Sequence, residues 1–291
     1  MIKKIKKKNC IICNSNKFIN SFPYKTSFNK KVFFYKKCLN CKFVFIDPIP
    51  DKSDLKKMYE NDRYHKNFYN LKADNEYKKN YVFLKKFIKH GDHILDYGCG
   101  YGHFLRQIPN GIKKTGVEFN RDVVEFCKKK IKKTKFITVN QFKTHNKKFE
   151  VIHLGDVLEH LIDPINFLND IKKKLRKNGI IFISGPLERN ISLVNYSFLV
   201  FGYFKNKIFK NFVGNFTPYH IFFCNSKNKK KMLSRFRDLK ILKFEIYETG
   251  FPYSMGNIFK KIIAIVGIIL SYLNFFGFGI GNRFRVILLK K

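Results

Sequence analysis

Asp96-Tyr97-Gly98-Cys99-Gly100-Tyr101-Gly102 lies directly after the apolar run His93-Ile94-Leu95 and directly before Phe104 and Leu105. The order reads as a strand, a glycine turn and the opening of a helix. Glycines allow a tight turn and let a ligand approach the backbone, while free N–H groups at a helix start attract an anionic group. The next apolar run ends in Gly116-Val117-Glu118, which sets a carboxylate 20 residues beyond Gly98. At that distance it can accept the hydroxyls of a ribose. A dinucleotide fingerprint has the spacing G-x-G-x-x-G, whereas here the third glycine, Gly102, arrives one residue sooner.

Outward from this loop, strands are predicted at His93–Tyr97, Lys114–Glu118, Phe136–Val139, Phe149–Leu154, Ile180–Ser184, Ile241–Tyr247 and Phe284–Leu289. Helices are predicted over 102–108, 121–132, 164–177, 226–237 and 257–274. Alternation of the two implies βαβ units and a mostly parallel sheet. Three segments result. Residues 1–50 hold paired cysteines and short strands, ending at Asp47-Pro48-Ile49-Pro50. Residues 51–90 read as helical, with Asp51 or Ser53 as caps and Tyr77, Tyr81, Leu84 and Ile88 on one face. Residues 91–291 form the α/β domain, with an inserted substrate-side segment at about 190–218 that is rich in Phe, Tyr and Lys.

The glycine loop resembles that of class I S-adenosylmethionine-dependent methyltransferases. Phe149-Glu150-Val151-Ile152-His153-Leu154-Gly155-Asp156-Val157-Leu158-Glu159-His160-Leu161 is similar to that family's fourth motif, in its D-x-L-E-H-L subgroup. Leu175-Arg176-Lys177-Asn178-Gly179-Ile180-Ile181-Phe182-Ile183-Ser184 is similar to the helix end, glycine turn and fifth strand that follow. The resemblance covers roughly residues 90–190 and implies a doubly wound, Rossmann-like α/β fold with a seven-stranded, mostly parallel sheet. It implies S-adenosylmethionine as cofactor, with Asp96, Gly98, Cys99, Gly100 and Gly102 around the methionine moiety, Glu118 on the ribose, and Asp156 beside cofactor and substrate. The acidic residue that touches adenine in many relatives is missing, and Asn140 or Gln141 stands in its place; the Gln141 side-chain oxygen can accept from the exocyclic amine. His160 is the first candidate for general base and His220, in Thr217-Pro218-Tyr219-His220-Ile221-Phe222-Phe223, the second.

Cys10-x-x-Cys13 and Cys38-x-x-Cys41 resemble the four-cysteine zinc-binding module that precedes certain bacterial methyltransferases acting on sugars and surface glycans. Four thiolates suit tetrahedral zinc and leave no open position, which makes the ion structural. The 24 residues between the pairs exceed the usual zinc-ribbon gap and call for an extended hairpin around Ser21–Asn29. Unrelated buried or redox-active cysteines are the alternative reading.

Composition bounds the partners. The formal charge of +38 suits a polyanion, yet the chain has two alanines, nine arginines and no tryptophan, and its lysines are spread along its length. A GC-poor genome is the first explanation of that balance, ahead of selected nucleic-acid binding. Seven cysteines, without a secretory h-region, point to a reduced, cytoplasmic setting. The uncharged run Ile262–Gly281 is just long enough to span a bilayer, but its glycines at 277, 279 and 281 favour a surface helix ending in a turn. Peripheral membrane contact is therefore expected through 190–216 or 258–281. These features lead to a methyltransferase acting on a small molecule, with a sugar or lipid-linked sugar as first choice and O- or C-methylation open. RNA methylation, quinone-type O-methylation and a non-catalytic binding role of the same fold are the alternatives.

Overall fold

The computed structural model describes residues 9–60, 74–208 and 217–291. Strands β1 (Phe18–Phe28), β2 (Lys31–Cys38) and β3 (Val44–Asp47) precede helix α1 (Lys52–Glu60). Then come α2 (Asp74–Leu84), β4 (His93–Tyr97), α3 (His103–Gln107), β5 (Lys113–Glu118), α4 (Arg121–Lys130) and β6 (Lys135–Thr138). They are followed by α5 (Val139–Lys143), β7 (Phe149–Gly155), α6 (Pro164–Ile171) and β8 (Leu175–Pro186). The last third holds α7 (Leu193–Ile208), β9 (Phe222–Phe223), α8 (Ser226–Leu233), β10 (Leu239–Tyr247), α9 (Ile258–Ser271) and β11 (Arg283–Lys290). Two compact units divide these residues: Met1–Asp54, Pro186–Arg235 and Glu245–Phe284 form the first, and Leu55–Gly185, Phe236–Phe244 and Arg285–Lys291 the second.

The seven-stranded sheet has the order β10-β11-β8-β7-β4-β5-β6. The pairs β4/β5, β5/β6, β4/β7 and β7/β8 are all parallel. Strand order reverses between β4 and β7, the crevice where an open α/β sheet binds its ligand. Apolar runs such as Ile94-Leu95, Val151-Ile152 and Ile181-Phe182 are buried, as expected for strands covered on both faces. The expected strands are all present within a few residues.

Two helical expectations shift. The predicted helix over 164–177 ends at Ile171, and Leu175 already pairs with Phe149. The register shift that follows carries the positive φ of Asn178 (59°), so the Asn-Gly pair lies inside β8 and does not end a helix. In the 51–90 segment, Leu84 is fully buried and Tyr77, Tyr81 and Ile88 pack against the same core, but α2 stops at Leu84 and Ile88 lies beyond a 3-10 turn. Residues 61–73 of that segment, and 209–216 of the 190–218 insertion, lie outside the described residues.

The first unit contains a four-stranded sheet of order β1-β2-β3-β9. The hairpin expected around Ser21–Asn29 turns at Asn29 and Lys30, with φ of 50° and 59°. Positive φ at both central residues is what a two-residue hairpin turn requires. Contacts join the cysteine segment to Pro186–Arg235 and Glu245–Phe284, whereas the sequence boundaries set residues 1–50 apart. The reason is strand pairing: Val44 and Phe45 of β3 pair with Phe223 and Phe222, which covers an edge that would otherwise be open. Phe43 and Phe222 then stack with centroids 5.5 Å apart.

Phe104 is fully buried, 3.8 Å from the His153 ring and 6.2 Å from Phe182. Phe104→Ala should destabilise the protein by about 3–5 kcal/mol, measured as a shift in the denaturant midpoint.

Candidate functional site

The glycine loop is shaped by hydrogen bonds from its own amides. Gly98 N and Cys99 N both donate to Val117 O, at 2.8 and 3.0 Å. Gly98, Gly100 and Gly102 take φ of 77°, 49° and 71°, a region costly for any residue with a Cβ. Space adds to that cost: a Cβ at Gly102 would stand 2.6 Å from Ile131 Cδ1, and at Gly98 3.0 Å from Val157 Cγ2, so either side chain would have to shift.

Glu118 closes the loop against β5. Its Oε2 accepts from Gly100 N at 2.9 Å and its Oε1 from Phe119 N and Asn120 N at 2.7 and 3.1 Å. The carboxylate is buried, and three amide donors offset the loss of water. Cys99 points inward: its thiol is buried against Gly116, and burial with the nearby Asp96 and Glu118 pushes it well above its ordinary range. Cys127, pushed up to about 12 mainly by burial, donates to Gly100 O at 3.4 Å. Cys99 thus contributes packing and its backbone, with a protonated side chain turned from the crevice.

Asp96 is likewise turned into the core, 2.7 Å from His153 Nδ1. Gln141 sits in α5, where Thr138 N donates to its Oε1 at 2.9 Å and Gln141 N donates to Thr138 Oγ1 at 3.3 Å. That capping box gives its amide oxygen a structural occupation at the end of β6. Asp156 follows β7 with φ of 52°, its amide donating to Ser184 O at 3.0 Å. A non-glycine residue there is uncommon and stores strain next to the crevice.

His160 closes the 3-10 turn Leu158–His160, half-buried, with Nδ1 2.9 Å from Tyr59 Oη. Tyr59 was not among the sequence candidates. It comes from α1, 101 residues earlier, and stands edge-on to Phe119, with ring centroids 6.5 Å apart. No local pattern could have paired it with His160. Asp96, the glycines, Glu118, Gln141, Asp156 and His160 all belong to the second unit, near the carboxyl ends of β4 to β7.

His220 belongs to the first unit, with Nδ1 2.6 Å from Glu188 Oε1. Burial alone would raise the Glu188 carboxyl, but the hydrogen bond and charge of His220 hold it below its ordinary value. The same unit gathers Cys10, Cys13, Cys38 and Cys41, whose sulfurs all lie within 4.8 Å of one another. Cys10–Cys41 and Cys13–Cys38 Sγ distances are both 3.5 Å, far beyond a disulfide bond. Zinc with Zn–S of about 2.3 Å in a tetrahedron needs sulfurs about 3.8 Å apart, so the cluster has the dimensions to hold the ion. Burial opposes ionisation at Cys13, yet the Ser15 amide and neighbouring thiols lower it to about 7. Asn228 Nδ2 donates to Cys41 O at 2.9 Å and an Arg235 guanidinium nitrogen donates to Ile12 O at 2.9 Å, bracing both knuckles.

Comparison with known proteins follows the same lines. A family model described as a methyltransferase domain matches residues 69–226. A ubiquinone biosynthesis O-methyltransferase of Actinobacillus pleuropneumoniae is 27% identical over 106 residues, 32% of this chain and 45% of that protein. A tRNA U34 carboxymethyltransferase of Campylobacter jejuni is 29% identical over 112 residues, 35% of this chain and 38% of that protein. The chain spans about half the length, or less, of these relatives. Among solved structures, a chain of the complex between the Haloferax volcanii Trm112 methyltransferase activator and a methyltransferase superposes with a TM-score of 0.51 at 12% identity, over 83% of this chain and 99% of that one. That likeness shows the fold.

Cys38→Ser should abolish zinc retention and lower the melting temperature, read by elemental analysis and calorimetry on the same preparation. Unchanged zinc content would remove the cluster as a metal site.

Proposed function

Because the chain belongs to the methyltransferase-domain family, we propose that it is an S-adenosylmethionine-dependent methyltransferase acting on a small molecule, with a sugar or lipid-linked sugar hydroxyl as the acceptor. The observation that carries the cofactor part of the reading is the Glu118 carboxylate bonded to the glycine-loop amide of Gly100; the sugar acceptor rests on the resemblance of the four-cysteine module. A carboxylate offers about four acceptor positions; three are taken by the amides of Gly100, Phe119 and Asn120, which leaves Oε2 able to accept from one ribose hydroxyl while Glu118 braces the loop. Gly98, Gly100 and Gly102 would let the methionine portion lie against bare backbone, with Asp156 beside it. Asp96 would act from beneath, through the position of the strand end, and Gln141 would border the adenine. Zinc in the four-cysteine cluster would be structural, since the thiolates fill its shell.

S-adenosylmethionine, when bound, supplies a methyl group already activated on a sulfonium. What remains for the protein is to align an acceptor and take its proton. His160 fits that role when its Nδ1–H donates to Tyr59 Oη, because the tautomer then leaves Nε2 as the accepting nitrogen. Tyr59 is a positioning residue for the ring. His220, whose Nδ1 is held by Glu188 within the first unit, is the second candidate base and would serve only in its neutral form.

Two other acceptors have a specific observation behind them. The ubiquinone biosynthesis relatives favour a phenolic ring hydroxyl, and the charge of +38 with the tRNA-modifying relatives favours RNA. Turnover assays on nucleotide sugars, catechols and RNA separate the three, and RNA binding would fall steeply with salt.

Gly100→Val should raise the Kd for S-adenosylmethionine at least about tenfold, measured by calorimetry, while zinc content stays unchanged; normal affinity would refute the loop assignment. With the accepted substrate, His160→Asn should lower kcat by about 10²–10⁴ at unchanged cofactor affinity. Tyr59→Phe should cost about tenfold and change the pH profile of kcat. Wild-type folded, zinc-loaded protein that binds no S-adenosylmethionine would point to a non-catalytic binding role.

A further inference from the structure

Helices α7 and α9 pack on each other within the first unit, through a small core of Val194, Tyr253 and Ala264 and through the Phe201 and Phe259 rings, 6.2 Å apart. Only Ala264 and Gly267 of α9 are buried. The rest of that helix and the 3-10 turn Tyr272–Phe276 present large apolar side chains outward: Ile258 is 75% exposed, Ile269 58% and Phe275 90%. On α7, Tyr196, Phe198, Phe201 and Phe204 are each about half exposed. An apolar surface of this extent marks an interaction site.

The exposed charges on the two helices have one sign, and the carboxylate packed against them, Glu248, is buried. No acidic residue occurs from 189 to 237 or from 249 to 291. Lys205 and Lys207 on α7 and Lys260 and Lys261 on α9 are exposed beside the apolar residues. An open cleft of about 400 Å³ beside α7 has two charged residues in its lining, Lys37 and Arg189, both cationic. Large apolar side chains bordered by lysines are the pattern of a segment lying in the plane of an anionic bilayer surface.

Local geometry distinguishes lying on a bilayer from crossing it. Ile258–Phe276 is long and apolar enough to span, with 11% of it buried. Yet one side chain ties the two ends of the excursion together: Asn274 Nδ2 donates to Ile246 O at 2.9 Å and to Ile280 O at 2.6 Å. Gly281 then lies so close to the Tyr247 carbonyl that a Cβ could not be placed there. The chain leaves and returns at one point, a geometry that suits a segment lying at an interface better than one crossing it.

We propose that α7, α9 and the turn after α9 form a face that binds the surface of an anionic phospholipid bilayer, apolar side chains among the acyl chains and lysines at the phosphates. This inference does not depend on the acceptor chosen above. The test is flotation of the full chain with vesicles of phosphatidylcholine, alone or mixed with phosphatidylglycerol, at low and high salt. Binding is expected to require phosphatidylglycerol and to weaken with salt. The double variant Ile262→Asn with Ile269→Asn should weaken it at least about tenfold, and Lys260→Glu with Lys261→Glu should weaken it as well. Both pairs are exposed, so melting temperature and S-adenosylmethionine affinity should match the parent protein. Absence of binding to phosphatidylglycerol vesicles, or binding unchanged by both double variants, would overturn the proposal. A lipid-free dimer that the Asn substitutions dissociate would assign the face to a second copy, and RNA binding that loses affinity only with the Glu substitutions would assign it to a polyanion; either result would also overturn it.

Discussion

A single carboxylate organises the head of the seven-stranded sheet. Glu118 accepts from the amides of Gly100, Phe119 and Asn120, joining the loop after β4 to the end of β5. Asn120 extends the brace by capping α4, accepting from Asp122 N at 2.9 Å, and by donating from Nδ2 to Tyr59 O at 3.4 Å. Tyr59 in turn meets His160. Hydrogen bonds to a charged group are worth about 1.5–3 kcal/mol each, and a buried carboxylate deprived of them would be costly to keep. Glu118 thus adds to the backbone bonds from Gly98 and Cys99 to Val117 O in holding the loop, and through Asn120 and Tyr59 it is linked to the helix start and to His160. Gly98 and Gly102 suit the same loop, because each takes a positive φ and lies close to the tips of Val157 and Ile131.

Much of this was legible because the signals are local. Strand positions followed from short apolar runs, and the glycine loop with Glu118 followed from spacing. The paired cysteines converge as their pattern suggests, and the hairpin implied by the long gap between them turns at Asn29 and Lys30. What escaped depends on distant partners. Tyr59 and His160 are 101 residues apart, and β9 is two residues long, too short for any periodicity to show. The inward turn of Asp96 depends on His153, one histidine within an apolar strand whose partner lies 57 residues away. Gln141 sat where an adenine contact was expected, but a threonine three residues earlier made it equally good as a helix cap. The helix expected through 177 was an overextension, because Asn178 permits a positive φ inside a strand.

The two units also divide the chemistry. Glu118, Asp156 and His160 are carried by a scaffold of parallel strands, which places loops with precision at one sheet edge. The first unit carries the cysteines, His220 and the apolar helices, and its sheet has four strands against seven. A bound metal is the kind of staple that such a sheet uses in place of buried area. Its knuckles are braced by Asn228 and Arg235, whose side chains reach the backbone of Cys41 and Ile12.

That last arrangement has a consequence for how the protein is made. β3 waits for Phe222 and Phe223, and the cysteine knuckles wait for Asn228 and Arg235. On the ribosome, the amino-terminal hairpin emerges long before the residues that seal its edge, and five of the seven strands of the α/β sheet are synthesised in between. An ion captured early by the four thiols would hold the nascent hairpin together through that interval. Zinc supply during translation would then govern the yield of correctly folded chains, even where the finished protein keeps its ion tightly.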